Sequence, residues 1–199
     1  LDKHDTDLHK ELKRHYKQLV HALKDDDQVL AAFQAAWLAH ALVDGLTPAH
    51  HYPYEKELAL LRGESRHTRT GLLGRGFVQA DTLAASISRS LKIIGPKGLL
   101  TNHAMFEGGA WAIIAPLRLN RALPSSTDVQ TASADGMLGL FKQMASEVAN
   151  LQIYTRFIDR GWRHAVARDI RRELAPRMVR MITLAWYSAA RDAGLLEKQ

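Results

Sequence analysis

Cysteine is absent from all 199 residues. Disulfide stapling and thiolate metal sites are thereby excluded, and any metal must be held by His, Asp or Glu. The same absence suits either side of a bacterial membrane, so it leaves the redox compartment open. The chain also lacks an apolar run of the roughly 18 uncharged residues that a bilayer span needs, so no transmembrane segment is expected. Alternating strand patterns, internal repeats and a Gly-rich phosphate loop are missing too. The first residue is Leu1 rather than Met, which predicts that an N-terminal segment has been removed.

What is present fits one compact domain over residues 1–199, long enough to bury a sizeable core. Hydrophobic residues make up 46% and charged residues 24%, an ordinary soluble balance. The formal net charge is +6 and the isoelectric point is near 9.7, which favours anionic partners such as phosphate esters, nucleic acid or lipid headgroups. Oligomeric state leaves no mark on these numbers.

The dominant periodicity is helical, and the expected fold class is all-α, a cluster of several helices. An amphipathic helix is expected from about Leu8 to Leu23, displaying solvated His9, His15 and His21. The Asp25-Asp26-Asp27 run ends it and caps the next. A stronger helix runs from Val29 to Asp44, with Phe33 and Trp37 marking its core stripe. Gly45 follows, then a loop with Pro48 and Pro53 and a short helix over 55–61. Residues 62–76 read as a basic loop. Further helices are expected over 79–94 and 99–114, then a loop over 120–131. Two long C-terminal helices complete the chain, split near Gly161, with Pro176 in the first turn of the last.

Two helices carry the same device. His40 and Asp44 are four residues apart, as are His103 and Glu107, so each pair shares a helix face. The first pair lies on the stripe of Phe33 and Trp37. The second shares its face with Leu100, Ala110, Trp111 and Ile114. Both pairs are therefore expected to be buried, where an ionisable pair needs strong partners. Between them a loop framed by Pro48 and Pro53 supplies His50 and His51, and is expected to return an imidazole beside the helix end it has just left. Two imidazole–carboxylate pairs and a loop histidine point to N/O metal ligation within a helical bundle, with His40, Asp44, His50, His103 and Glu107 as ligands. Zinc accepts such donors. Iron and manganese carboxylate sites in bundles usually draw on more Glu and fewer His. The residues present support one or two ions. His51, Tyr52 and Tyr54 follow the ligand loop as candidates to line a substrate cleft, although tyrosines beside prolines are more often packing groups. Trp37 and Trp111 read as core, and His67 and His164 as surface residues.

The stretch His40-Ala41-Leu42-Val43-Asp44-Gly45-Leu46-Thr47-Pro48-Ala49-His50 fits the pattern H-x-x-x-D-x-x-x-P-x-H, and His103-Ala104-Met105-Phe106-Glu107 follows it. Together they resemble the motifs of the zinc-dependent phospholipase C and single-strand-specific zinc nuclease superfamily. A less specific likeness extends to Arg180, Trp186 and Tyr187 after Pro176. The resemblance implies an all-α fold in which up to three zinc ions activate a water that attacks phosphorus. It casts His40 and Asp44 as ligands of a zinc pair and His50, His103 and Glu107 as holders of a more separate zinc, with Asp44 and Glu107 catalytic. It favours a secreted or extracytoplasmic protein acting on a phospholipid or another phosphodiester. The Phe106-Glu107 ending favours the lipid branch, and the basic loop makes nucleic acid possible.

This chain departs from that pattern in three places. The superfamily draws further ligands from its N-terminal residue, an early His, and an upstream Asp and His. Asp7 and His21 cannot supply them together, because fourteen helical residues set them roughly 21 Å apart. Thr47 replaces a common Gln, and 51 residues separate His51 from His103. The readings to separate are a lipid phosphodiesterase, a nuclease of the same kind, and a non-catalytic zinc-binding member.

Overall fold

In the computed structural model the described residues are 3–53, 56, 57, 60, 61 and 83–196, and no strand occurs among them. The order is α1 (Lys3–Lys24), α2 (Gln28–Leu46), a 3-10 turn (Pro48–His51), α3 (Leu83–Ile94), α4 (Leu99–Ile114), a 3-10 turn (Leu119–Ala122), α5 (Ser126–Asn150), α6 (Ile153–Arg160), α7 (His164–Asp169), a π turn (Ile170–Leu174) and α8 (Ala175–Asp192). The all-α expectation is met. Tyr54, His67 and the basic segment 62–76 lie outside the described residues.

Local chemistry explains the boundaries. The Asp27 carboxylate accepts the Leu30 amide at 3.0 Å and caps α2. Asp26 takes the left-handed bend before it, at φ 53°. At α5 the Ser125 hydroxyl accepts from the Asp128 amide while the Asp128 carboxylate accepts from the Ser125 amide at 2.8 Å. That reciprocal cap starts a helix at Ser126, where a loop to residue 131 was expected. Gly161, at φ 67°, ends α6. The two expected C-terminal helices are thus α5, α6 and a path through α7 and the π turn into α8, broken also at Gln152, where φ is 49°.

The core runs through Leu12 and Leu19 of α1, Leu38, Leu42 and Leu46 of α2, Phe106 of α4, Met144 and Val148 of α5, and Met181 and Leu184 of α8. The core face of α2 is therefore the row Gln34, Leu38, Leu42 and Leu46, not the row of Phe33 and Trp37. Phe33 is 54% exposed and Trp37 46%. The reason lies in composition: α2 is apolar on every side, so its aromatics do not mark the inward face. The same composition makes it the one described helix long and apolar enough to cross a membrane; its best window has a mean hydropathy of 1.4 and is 33% buried. On α4, Phe106 and Ala110 face inward, while Leu100 and Trp111 are exposed. His15 is not solvated: it is buried, bonds Gln34 at 2.7 Å through Nδ1, and stacks on Trp37.

The joint between α6 and α7 is ionic. Arg156 donates to the Asp169 carboxylate at 2.8 Å and Arg168 donates at 3.1 Å. Burial opposes the charge on Asp169, but the two guanidiniums outweigh it and hold the carboxyl below its ordinary range. A depressed folded pKa stabilises at neutral pH, and that stability is lost as pH falls from about 4, the unfolded aspartate value, toward the folded one. Asp169→Asn is expected to cost about 1–2 kcal/mol at pH 7, allowing for the partly exposed arginines. Thermal melts at several pH values check this: the gap between the two proteins should close in acid.

Candidate metal centre

Three of the five expected ligands meet. The turn after α2 buries Pro48 and Ala49 and turns His50 outward. The His50 amide donates to the Thr47 carbonyl at 2.9 Å, while the Thr47 hydroxyl donates to the Val43 carbonyl at 2.8 Å. This turn carries His50 across to α4 instead of back to the end of α2. There His50 Nε2 lies 3.0 Å from Glu107 Oε1, and His103 Nε2 lies 3.0 Å from the same oxygen. The two imidazoles stack with centroids 5.2 Å apart and planes 21° apart. The ligating atoms of the three residues all fall within 4.8 Å of one another, so the group could hold a metal ion. Tetrahedral ligands at zinc distances are separated by about 3.3–3.6 Å, a little more than the 3.0 Å that divides Glu107 Oε1 from each imidazole nitrogen. Among the described residues no fourth His, Cys, Asp or Glu joins them.

His40 and Asp44 form a separate pair. Their Nε2–Oδ2 distance is 3.3 Å, and their side chains are 63% and 40% exposed. They line a groove of about 580 Å³ between α1 and α2, together with Glu11, His15 and Trp37, and neither belongs to the three-residue group. Both expected pairs thus sit partly or wholly at the surface: the Phe33 and Trp37 row of α2 is exposed, and of the expected α4 face only Ala110 and Ile114 turn toward the core.

The remaining candidates have other neighbours. His51, not His50, turns back to the end of α2, its Nε2 lying 2.8 Å from the Gly45 carbonyl oxygen. Tyr52 packs edge-on against Tyr154, with centroids 5.6 Å apart. Burial raises its phenol pKa, with the carboxylates of Glu57 and Asp159 adding to the shift. Trp186 donates its indole N–H to the Ala35 carbonyl at 3.1 Å, and Arg180 points to Asp128 at 3.6 Å. His9 meets Phe141 edge-on, and His164 is exposed.

Sequence reasoning missed the platform that holds the centre. Phe106, fully buried one residue before Glu107, stacks on Trp162 at 5.8 Å and meets Tyr154 edge-on at 5.0 Å. Tyr154 therefore supports both halves of the centre: the His50 turn through Tyr52, and α4 through Phe106. A Cβ on Gly109 would overlap the Trp162 ring, so only glycine admits that stacking. A Gly-Gly pair inside a helix was the available signal, since interior glycine usually answers to packing.

Compared with known protein families, curated proteins and solved structures, the chain finds no match.

Proposed function

We propose that the chain is a zinc-dependent phosphodiesterase acting through the centre at His50, His103 and Glu107, with phospholipid phosphodiesters as its preferred substrate class. The observation that carries this reading is the convergence of two imidazole nitrogens and one carboxylate oxygen from distant parts of the chain on one partly exposed point. Two imidazoles, one carboxylate and an open position form a catalytic zinc donor set, whereas closed four-ligand sets are structural. Zinc held there would supply a Lewis acid for the phosphoryl oxygen and lower the pKa of water. The chain's own part is positional. Glu107 would neutralise part of the ion's charge, and the stacked His50 and His103 would hold the ion through their Nε2 atoms. The net charge of +6 favours an anionic substrate. The His40–Asp44 pair lies apart and is not required for this zinc.

The test combines metal content with turnover. Purified protein should carry at least one zinc per chain. It should hydrolyse bis(p-nitrophenyl) phosphate and release headgroup from phosphatidylcholine faster than it digests single-stranded DNA. Chelation and His50→Ala should each abolish hydrolysis. Zinc without turnover on any of these substrates would make the domain a non-catalytic binder. Zinc content unchanged by His50→Ala would end the proposal.

A further inference from the structure

The α3 helix presents its apolar side to solvent. Ile87, Leu91 and Ile94 fall on one face at helical spacing and are 47%, 55% and 57% exposed. The flank next to this stripe supplies the inward contact, through Ser90 and the fully buried Ile93, which packs with Leu99 and Leu61. A helix that exposes such a stripe is incomplete without something to cover it. Lys92 and Lys97 border the stripe in one shallow groove with Ala84, Ile87, Leu91 and Pro96. The sequence from residue 82 to 106 contains Arg89, Lys92 and Lys97 and no carboxylate. On the adjoining helix α4, Trp111 is 72% exposed and shares the outward face of Glu107, four residues before it.

We infer that the α3 face, with Lys92 and Lys97, docks on an anionic lipid surface. Apolar side chains on one side with lysines at the border are what an interfacial helix needs. The stripe enters the headgroup boundary while the ammonium groups pair with lipid phosphates. Charge complementarity selects this occupant. A second copy of a chain with net charge +6 would bring like charges to the two lysines, whereas an anionic membrane neutralises them. An exposed tryptophan beside the site suits the headgroup level. The inference rests on the lipid reading of the metal centre for its choice of partner, but the docking itself needs no metal.

Sedimentation with vesicles, carried out in chelator, separates the two claims. The whole chain should bind equimolar phosphatidylglycerol–phosphatidylcholine vesicles and bind phosphatidylcholine vesicles weakly. Lys92→Gln with Lys97→Gln should lower the partition coefficient about 30-fold. Leu91→Asp should lower it more than about tenfold, with unchanged melting temperature showing that the fold is intact. Docking is overturned if the anionic vesicles bind no better than phosphatidylcholine alone, or if Leu91→Asp leaves binding unchanged. It is also overturned if the protein is a dimer in solution that Leu91→Asp dissociates. Vesicle binding with no hydrolysis of bis(p-nitrophenyl) phosphate after zinc is restored would uphold the surface and sink the enzyme. Hydrolysis of that soluble ester without vesicle binding would do the reverse.

Discussion

Glu107→Gln is expected to weaken zinc binding at least 100-fold while leaving the metal-free fold unchanged. Both histidines aim at the same Glu107 oxygen, so this one carboxylate links the turn after α2 to α4. Glutamine keeps the shape of the side chain and removes the anion, which is the hard donor and the only formal charge that opposes the ion's own. Changes to residues that merely support metal ligands typically cost 10–100-fold in affinity, and loss of a ligand should exceed that. Glu107 is 44% exposed, so little packing changes. Competition against a chromophoric chelator measures the affinity. Thermal melts add a second reading: at zinc concentrations about 100 times Kd, wild-type protein should gain about 2.7 kcal/mol, and the variant should gain almost nothing. His40→Ala should leave both readings at this centre unaltered, since His40 lies outside the group. An equal loss from His40→Ala would instead join the two pairs into one site.

Phe106→Ala should cost about 3–5 kcal/mol, the range for emptying a fully buried aromatic position. For a chain of this length that corresponds to a fall of roughly 6–20 °C in melting temperature. The effect should reach the metal as well. Phe106 fills the space between Tyr154, Phe157 and Trp162, and α4 takes its depth from that contact. A cavity there lets His103 and Glu107 shift together relative to His50. Phe106→Leu is the informative companion, because it retains most of the buried volume while losing the stacking on Trp162. Its stability loss should be smaller, yet its zinc affinity should still fall, separating position from folding. If zinc affinity is untouched in Phe106→Leu, the platform does not position the centre.

Much of this was legible in the residues, and the misses share a cause. The spacing of His103 and Glu107, and the arrival of His50 after a proline, were sufficient to name the group that could hold an ion. Helix α4 was legible to the residue, because Gly98 and Pro116 bracket a proline-free segment rich in apolar residues. What failed was the choice of inward face. On α2 and α4 apolar residues occupy nearly the whole circumference. The core took Leu38, Leu42 and Leu46 on one helix and, on the other, Phe106 beside the expected Ala110, leaving Trp37 and Trp111 outside. Only the packing of neighbouring helices decides between faces of equal hydrophobicity, and that is not a local property. Which of the two loop imidazoles returns to α2 was illegible for a related reason. Pro48 predicts a turn, but whether His50 or His51 returns to α2 depends on how Ala49 is buried.

Two bonds made by the last described helix bear on how the chain reaches this state. The Tyr16 hydroxyl donates to the Asp192 carboxylate at 2.7 Å, and the Trp186 indole donates to the Ala35 carbonyl, so α8 closes against the hairpin of α1 and α2 across more than 150 positions of sequence. During synthesis that hairpin leaves the ribosome long before its partner exists. Until then α2 has only α1 packed against it and lacks the α5 and α8 part of its cover. Closure by α8 is thus the non-local part of the fold, the kind of contact whose long loop must close before it contributes.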